Sequence, residues 1–496
     1  SGNLSTSILL RRYKCLHDQF SDLFIMSLLQ HGAAIPVGDT GFNIENSIKL
    51  EIDNNEWLYR NSPTAGNRKT FTISLWLKRA CLGHIPAGGD EYLAGQGSSA
   101  RYHFAGDTIR FMFAGNSTEL ESSRKYRDPS AWYHIVLAVD TTQGTNTNRV
   151  KLYTNGVQQS WSNSDWPSQN AESDWMNTND LYIGTRWGNN STGDGDNDLA
   201  GYLAEVVLLD GTAASPTSFG EFDEDSGIWK PIDVSGLTFG SQGFYLNFSN
   251  ASSSGEDFSG NDNDLLDSNL SAADHSTDTP TNNFTTWNPL RRYLDDTISI
   301  REGGTQIVTT SGNAWRNVHN TMAVNKGKWY WEGELYTNEG VQMFGNQPVH
   351  FSQINTHQNW YLGSRADGQA GAAYYGSGDD VYYEGGYANS SASTTGDIIS
   401  VALDCDNNKI HFAVNGTYTN SSNPVNNTNG FPMTDEYQYF AMAPHTGGVV
   451  YKANFGGYTT ISISSAASDD NGYGTFEYAP PSGYYSLCTK NLAEYG

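Results

Sequence analysis

One strand-turn-strand pattern occurs twice in the chain, and this repeat limits the folds that the chain can adopt. The first copy runs from Ala131 to Gly156 and the second from Gly396 to Gly416. In each copy apolar residues alternate along a first strand, a polar turn follows, and the second strand ends at an Asn-Gly pair. Alternation with a period of two is typical of a strand, and Asn-Gly accepts the positive φ of a tight turn. The repeat therefore predicts two β domains.

The composition also favours an all-β chain. Of 496 residues, 52 are glycine and 13% are aromatic, as in proteins whose short strands are joined by polar turns. At roughly 100–250 residues per domain, a chain of this length holds two or three domains. We therefore predict two β-sandwich, jelly-roll-like domains in tandem, after a short N-terminal helical segment.

The net negative charge disfavours anionic partners such as nucleic acids and anionic membranes. The 28 Lys and Arg residues face 54 Asp and Glu residues, a formal charge of -26, which repels a phosphate backbone and an anionic bilayer. No stretch approaches the roughly 20 apolar residues of a membrane helix. The apolar run that ends at Leu10 is too short for a signal-peptide core. We expect no nucleic acid partner, no membrane insertion and no ordinary secretory signal.

The order of these patterns predicts four segments. Residues 1–41 form an N-terminal helical attachment segment, because apolar residues between Ser5 and Gln30 recur at helical spacing. That helix packs on the following sandwich, docks on another chain or bundles with copies of itself. Residues 42–250 form the first sandwich, 251–287 a polar linker poor in apolar residues, and 288–496 the second sandwich.

The first sandwich resembles the laminin-G-like, concanavalin A-like jelly roll. The resemblance is carried by motifs in a fixed order, Phe71–Arg79, Ala131–Asp140, Arg149–Gln158, Leu181–Thr185 and Leu199–Gly211. It implies a fold that serves lectins, adhesion modules and glycanases alike, so it does not specify a function.

The second sandwich resembles a SPRY domain, through the motifs Gly327–Leu335, Gly396–Gly416, Tyr439–Pro444, Lys452–Gly456 and Pro481–Cys488. SPRY domains bind partners through loops and carry out no chemistry. The pairing of the two modules resembles virion proteins of bacteriophages. This resemblance implies a tail or capsid fibre or an adhesin, located on an extracellular particle and in contact with other virion proteins.

Three carboxylates lie close together in the loop before the strand at Leu199. Asp194, Asp196 and Asp198 alternate with Gly and Asn, and converging carboxylates are ligands that Ca²⁺ prefers. The full twelve-residue calcium-loop pattern is absent. The sequence therefore predicts a Ca²⁺ site here, with a solvated turn as the alternative.

Aromatic residues in polar loops are candidate ligand-binding groups. Trp187 precedes Asn189 and Asn190, and Tyr382 and Tyr383 lie between Gly-rich turns. A flat ring beside amide groups offers the stacking and hydrogen bonds that sugars require. The alternative is that either set of residues closes the end of its sandwich and binds no ligand.

The functional hypothesis of first rank is a non-enzymatic virion fibre or adhesion subunit that recognises a cell-surface glycan. An alternative is a particle-borne polysaccharide-cleaving enzyme, in which Glu332 and Glu334, two apart on one strand, act as acid and nucleophile. A further alternative is a capsid or filament-cementing module without sugar binding. Because copies on a common axis multiply weak contacts, we predict a homo-oligomer, with a trimer favoured.

Overall fold

The structure, a computed structural model, describes residues 41–61, 63–82, 90–115, 119–163, 165–187, 198–292, 297–335, 341–349, 361–363, 371–383 and 386–496. Their regular secondary structure is almost entirely β-strand, which confirms the predicted all-β fold with two sandwiches. The helix predicted between Ser5 and Gln30 lies outside the described residues.

The strands of the first half are β1 (Ser47–Leu50), β2 (Trp57–Arg60), β3 (Thr70–Lys78), β4 (Asp90–Gln96), β5 (Ala100–Ala105), β6 (Thr108–Met112), β7 (Glu119–Lys125), β8 (Trp132–Asp140), β9 (Val150–Thr154), β10 (Val157–Gln158), β11 (Leu181–Ile183), β12 (Gly201–Asp210), β13 (Gly220–Phe222), β14 (Trp229–Pro231), β15 (Phe244–Leu246), β16 (Leu266–Ser268) and β17 (His275–Ser276).

Two antiparallel sheets enclose the core of the first half. One has the order β10-β9-β8-β3-β12-β1-β17, with β15 also paired to β12, and the other has the order β16-β2-β11-β4-β5-β6-β7. Leu75 and Leu137 from the first sheet meet Leu58 and Phe111 from the second. The outer side of β8 and β12 packs against residues 214–239. These strands read as almost continuous apolar runs because both of their faces are buried.

The strands of the second half are β18 (Trp287–Arg292), β19 (Ile298–Arg301), β20 (Gln306–Thr309), β21 (Val318–Asn320), β22 (Lys328–Glu334), β23 (Gln342–Pro348), β24 (Ala372–Tyr375), β25 (Asp380–Tyr383), β26 (Gly386–Asn389), β27 (Ile398–Asp404), β28 (Lys409–Val414), β29 (Thr417–Tyr418), β30 (Phe431–Pro432), β31 (Gln438–Pro444), β32 (Val450–Asn454) and β33 (Tyr485–Ser486).

Two further sheets form the second sandwich. Their orders are β18-β21-β31-β23-β24-β25-β26 and β19-β20-β32-β22-β27-β28-β29, with β30 and β33 paired to β28 and β22. Trp331 and Phe412 meet Phe344 and Met442 in the core between them. The described helices are α1 (Thr489–Tyr495) and 3-10 turns at Ile52–Asn54, Asn146–Asn148, Pro216–Ser218, Ala272–Asp274, Glu302–Gly304 and Thr419–Ser421.

The same asparagine contact closes the repeated hairpin in both halves. Asn155 accepts a hydrogen bond at Oδ1 from the main-chain N–H of His134 at 2.7 Å, and Asn415 accepts the equivalent bond from Ile398 at 2.9 Å. Both asparagines have a φ of 47°. The polar turn residue thus binds the start of the neighbouring strand, as expected where a side-chain amide replaces a main-chain partner.

The stretch predicted as a polar linker, 251–287, is packed into the first half. β16 pairs with β2, and β17 pairs with β1. Leu265 lies in the first core. Asp257 accepts hydrogen bonds from the main-chain N–H groups of Tyr245 and Asn263, both at 2.9 Å. Polar side chains satisfy the main chain here, so the segment is ordered with few apolar residues. The predicted domain boundaries stay a prediction.

A seam of buried charges joins the two halves. Lys49 on β1 lies 2.9 Å from carboxylate oxygens of Glu56 and Asp274 and 2.8 Å from one of Glu302, which follows β19. The hydroxyl group of Tyr202 donates to the carbonyl of Gly303 at 2.8 Å. Because these groups are buried, their contacts hold the second half against the edge of the first.

Candidate functional site

A short segment after β11 crosses the outer face of the sheet that contains β4 and β5. Gly184, at a φ of 88°, turns the chain out of β11. The Arg186 carbonyl oxygen lies 2.4 Å from the place where a side chain on Gly95 would begin. Gly95 thus permits a close approach of two backbones. This approach brings Arg186 and Trp187 onto the sheet.

The Trp187 ring packs directly against a guanidinium group. The Arg186 Cζ lies 4.0 Å from the centre of that ring and 5.9 Å from the centre of the Tyr92 ring. Trp187 is half-buried. Cation-π contacts of this kind hold a ring in one orientation, so part of the indole is fixed and part faces outward.

Strand β5 lies under this segment and contributes two side chains that point to the same face of the sheet. Arg101 and His103 alternate on β5, and His103 pairs across the sheet with Tyr92 on β4 and Arg110 on β6. The rings of His103 and Tyr92 stack with centroids 4.9 Å apart. We call the set Tyr92, Arg101, His103, Arg110, Arg186 and Trp187 the arginine face.

The arginine face is rich in positive charge. Burial and the charges of Arg110, Arg101 and Arg186 lower the pKa of His103 to about 4, against an opposing effect of Asp90. His103 is therefore neutral at neutral pH. Among the described residues, the buried Nε atoms of Arg101 and Arg110 have no hydrogen-bond partner.

Sequence patterns did not single out these arginines. Arg101 and Arg186 are far apart in the chain and come to the same part of the sheet only because β11 and β5 both flank β4. The alternation of Arg101 and His103 on one strand was visible, but the strand order that places Arg186 beside them was not. Trp187 was predicted as a ligand-binding residue, and that prediction is not tested by these contacts.

The predicted calcium loop lies largely outside the described residues, as do Asn189, Asn190, Asp194 and Asp196. Asp198 is described and is 3% exposed. The hydroxyl group of Thr185 donates to one oxygen of Asp198, while the other, Oδ2, is buried and has no partner among the described residues. Burial raises the pKa of Asp198 to about 7.

An unpartnered carboxylate oxygen is the type of ligand that Ca²⁺ takes, so Asp198 fits the predicted site. Within the described ranges, no group of three or more His, Cys, Asp and Glu side chains is arranged to hold a metal ion. The Ca²⁺ site stays a prediction.

The two predicted tyrosines of the second half lie on opposite faces of β25. The Tyr383 ring packs on Phe431, 5.2 Å between centroids, at the margin of the second core. Tyr382 lies on the outer face, and its ring is 5.4 Å from Tyr361, 5.7 Å from Tyr375 and 5.9 Å from Tyr387.

The cluster around Tyr382 is a surface of partly exposed rings. Trp315 packs on Tyr361 and Tyr375 at 6.0 and 6.1 Å, and Tyr387 is 63% exposed. We call Trp315, Tyr361, Tyr375, Tyr382 and Tyr387 the tyrosine surface. It offers several ring faces of the kind that stack on sugars.

The paired carboxylates considered for catalysis share one face of β22, as the alternation predicts. Glu332 is fully buried, and it accepts hydrogen bonds from the main-chain N–H groups of Glu477 and Tyr478 at 3.0 and 2.8 Å. Lys452 donates to Glu334 at 3.0 Å. Burial raises the pKa of Glu332. Residues 477–478 thus cover the first carboxyl group.

Residues 53–217 match the family model of the concanavalin A-like lectin/glucanases superfamily, Laminin_G_3. The match covers about a third of the chain and includes every residue of the arginine face. The first half therefore has a concanavalin A-like fold. No curated protein matches the chain. None of the helices in the described part of the chain has the length and apolar character needed to span a bilayer.

Several solved structures also match. The SPRY domain of human HERC1 is 15% identical, with 34% of this chain and 96% of that chain covered and a TM-score of 0.26. Another human SPRY domain is 15% identical, with 33% and 94% covered and a TM-score of 0.23. A Bacteroides ovatus ATCC 8483 protein provisionally described as carbohydrate-binding is 15% identical, with 46% and 58% covered and a TM-score of 0.32.

Proposed function

We propose that this chain is a non-enzymatic glycan-binding protein and that the arginine face is its principal contact with sugar. The observation that carries the proposal is the Trp187 ring, which is held against the Arg186 guanidinium group on the outer face of a concanavalin A-like sheet. A ring fixed in this way stacks on a pyranose without losing further conformational freedom, which favours binding. The lectins of the matched superfamily make glycan recognition the natural function to test.

The tyrosine surface is a second contact in this proposal. Its rings lie on the second half, and Tyr382 is within 6 Å of three neighbouring rings. Two weak sites on one chain raise the affinity for a polymer through effective concentration. We therefore expect longer glycans to bind more tightly than short ones.

The biological setting that we propose is adhesion by a virion fibre or capsid subunit, in contact with other virion proteins. This part of the proposal rests on the resemblance of the two modules to bacteriophage virion proteins. The homo-oligomer, with a trimer favoured, would form through residues 1–41. Light scattering of the full-length chain at micromolar concentration tests it, and a monomer would contradict it.

A glycan array probed with the full-length chain tests the proposed function. We expect binding to a subset of glycans, at least tenfold weaker in Trp187→Ala. Phe222→Ala is the matched control, because Phe222 is an aromatic residue of the same half, 49% exposed and outside the arginine face. A flat array would contradict glycan binding and favour the cementing module. Release of reducing ends that is lost in Glu332→Gln would favour the polysaccharide-cleaving enzyme.

A further inference from the structure

We infer that the arginine face recognises an anionic glycan, one whose carboxylate or sulfate group binds Arg101 and Arg186 while a neighbouring sugar ring stacks on Trp187. This inference rests on the proposed function, because it names the chemical class that the same site selects. The shared chemistry is a singly charged oxyanion attached to a sugar.

Positive charge is scarce in this chain, yet several basic side chains lie on one face of one sheet. The whole chain has 28 basic and 54 acidic residues, yet the arginine face carries three guanidinium groups. Arg101 donates from Nη2 to the carbonyl of Ser98 at 3.3 Å, and no carboxylate pairs with it among the described residues. Its charge is thus free to attract an anion.

The nearby carboxylates are engaged with other partners of the same face. Arg110, 35% exposed, reaches Glu119 at 3.5 Å and Glu121 at 3.2 Å. Asp90 accepts from the Tyr92 hydroxyl group at 3.3 Å and lies 3.7 Å from His103 Nε2. Asp90, Glu119 and Glu121 are thus engaged by Tyr92, His103 and Arg110, and none of them pairs with Arg101.

The hydrogen-bonding groups of the face require an acceptor. Guanidinium N–H groups can only donate, and the Nε atoms of Arg101 and Arg110 have no partner among the described residues. Leaving such a donor unpaired is unfavourable. A carboxylate or a sulfate group can present two acceptor oxygen atoms to two N–H groups of one guanidinium.

Gly95 is next to both arginines that would hold the anion. Arg101 pairs with Gly95 across the sheet, and the Arg186 main chain lies over Gly95. With no side chain between them, Arg101 and Arg186 flank the same strand. The Arg186 guanidinium group lies 5.9 Å from the centre of the Tyr92 ring, and Arg101 is two residues from His103, the strand partner of Tyr92.

Binding of the full-length chain to three oligosaccharides of equal length tests the inference: a neutral galactan, an oligogalacturonate and a sulfated galactan. We expect at least one anionic chain to bind tenfold or more tightly than the neutral chain, with a preference that falls as salt is added. The oligogalacturonate and sulfated arms distinguish the two sources of the oxyanion. Trp187→Ala should weaken all three.

Arg101→Gln should remove the preference for the anionic chain. Arg149→Gln is the matched control, because Arg149 also donates to main-chain carbonyl groups but lies next to β9 in the other sheet. Gly95→Ala is a second variant that changes no charge. Its new Cβ would meet the Arg186 carbonyl oxygen and displace Arg186, whereas Gly144→Ala enters open space and serves as its control.

Equal affinity for the three oligosaccharides, or a preference that Arg101→Gln leaves intact, would overturn the inference and leave the proposed function standing. Binding to none of them, together with a flat array, would overturn both. Melting curves of every variant show whether a loss of binding comes from the site or from unfolding.

Discussion

Lys78 and Asp278 form an ion pair of 2.6 Å, with side chains only 0% and 1% exposed. Lys78 belongs to β3 of the first sandwich, and Asp278 lies in the segment that leads into the second. Asp278 also accepts from the Trp132 indole N–H at 3.0 Å, and Lys78 donates to the Phe284 carbonyl at 2.8 Å. The pair therefore anchors the connection between the halves inside the protein.

Removing one partner of this pair should destabilise the protein strongly. Asp278→Ala leaves the Lys78 charge buried without a counter-ion, and such changes cost about 3–5 kcal/mol. We expect the loss in the free energy of unfolding from urea titration. The double variant Asp278→Ala with Lys78→Met should recover part of it, because no unpaired charge remains. Equal losses in the single and double variants would contradict this account.

The stability of the first half should fall as the pH rises through the titration of Glu205. This residue lies at the β-bulge in β12 with a φ of 48° and accepts from the Tyr245 hydroxyl group at 2.5 Å. Burial raises its pKa from 4.5 to about 7. The folded state thus holds a proton that the unfolded state releases between about pH 4.5 and 7, and this stabilisation is lost across that window.

Glu205→Gln tests that dependence, because an amide keeps an acceptor for Tyr245 without the charge. We expect the variant to melt at a higher temperature than the parent at pH 8, where ionised Glu205 costs on the order of 3 kcal/mol, and to differ little at pH 4.5. Glu221→Gln, at an exposed carboxylate, is the control. A constant difference across this range would show that the carboxyl group does not titrate there.

Calcium should stabilise the first half through the loop that ends at Asp198. Its buried Oδ2 has no partner among the described residues, and a cation would supply one. At free Ca²⁺ a hundred times the dissociation constant, binding adds about 2.7 kcal/mol. Melting curves with excess calcium and with chelator should differ, and Asp196→Ala should abolish the difference. Identical curves for the parent would mean that the loop is a solvated turn.

Two neighbouring tyrosines of β25 should respond in opposite ways to truncation. Tyr382→Ala should weaken binding to long glycans several-fold and leave the melting temperature almost unchanged, since the ring lies on the tyrosine surface. Tyr383→Ala should cost about 2 kcal/mol of stability, because its ring packs on Phe431 beside the core. Tyr437→Ala, at an exposed tyrosine of the same half, is the control for binding.

The fold was predictable where local pattern decides it. The hairpins that end at Asn155 and Asn415 carry their alternation and turn chemistry within one short stretch, and the structure pairs those strands. The composition predicts a linker around Asp257, because apolar content does not show which carboxylate will accept main-chain N–H groups.

The candidate sites were predictable only in part, since they depend on which strands become neighbours. The sequence predicts Trp187 as a candidate because an aromatic residue in a polar loop is visible in sequence, and that role stays a prediction. The sequence does not single out Arg101, because its neighbours on the arginine face come from other strands. Tyr382 and Tyr383 are adjacent in sequence and were grouped together, although strand geometry sends their side chains to opposite faces.

The seam at Lys49 has a consequence for ligands that span the molecule. Because buried ion pairs and the Tyr202 to Gly303 bond hold the halves together, we expect the arginine face and the tyrosine surface to keep a constant separation. A flexible tether would let a polymer of any repeat length reach both. With the proposed function, a fixed separation would instead favour polymers whose charged and stackable units recur at the matching interval.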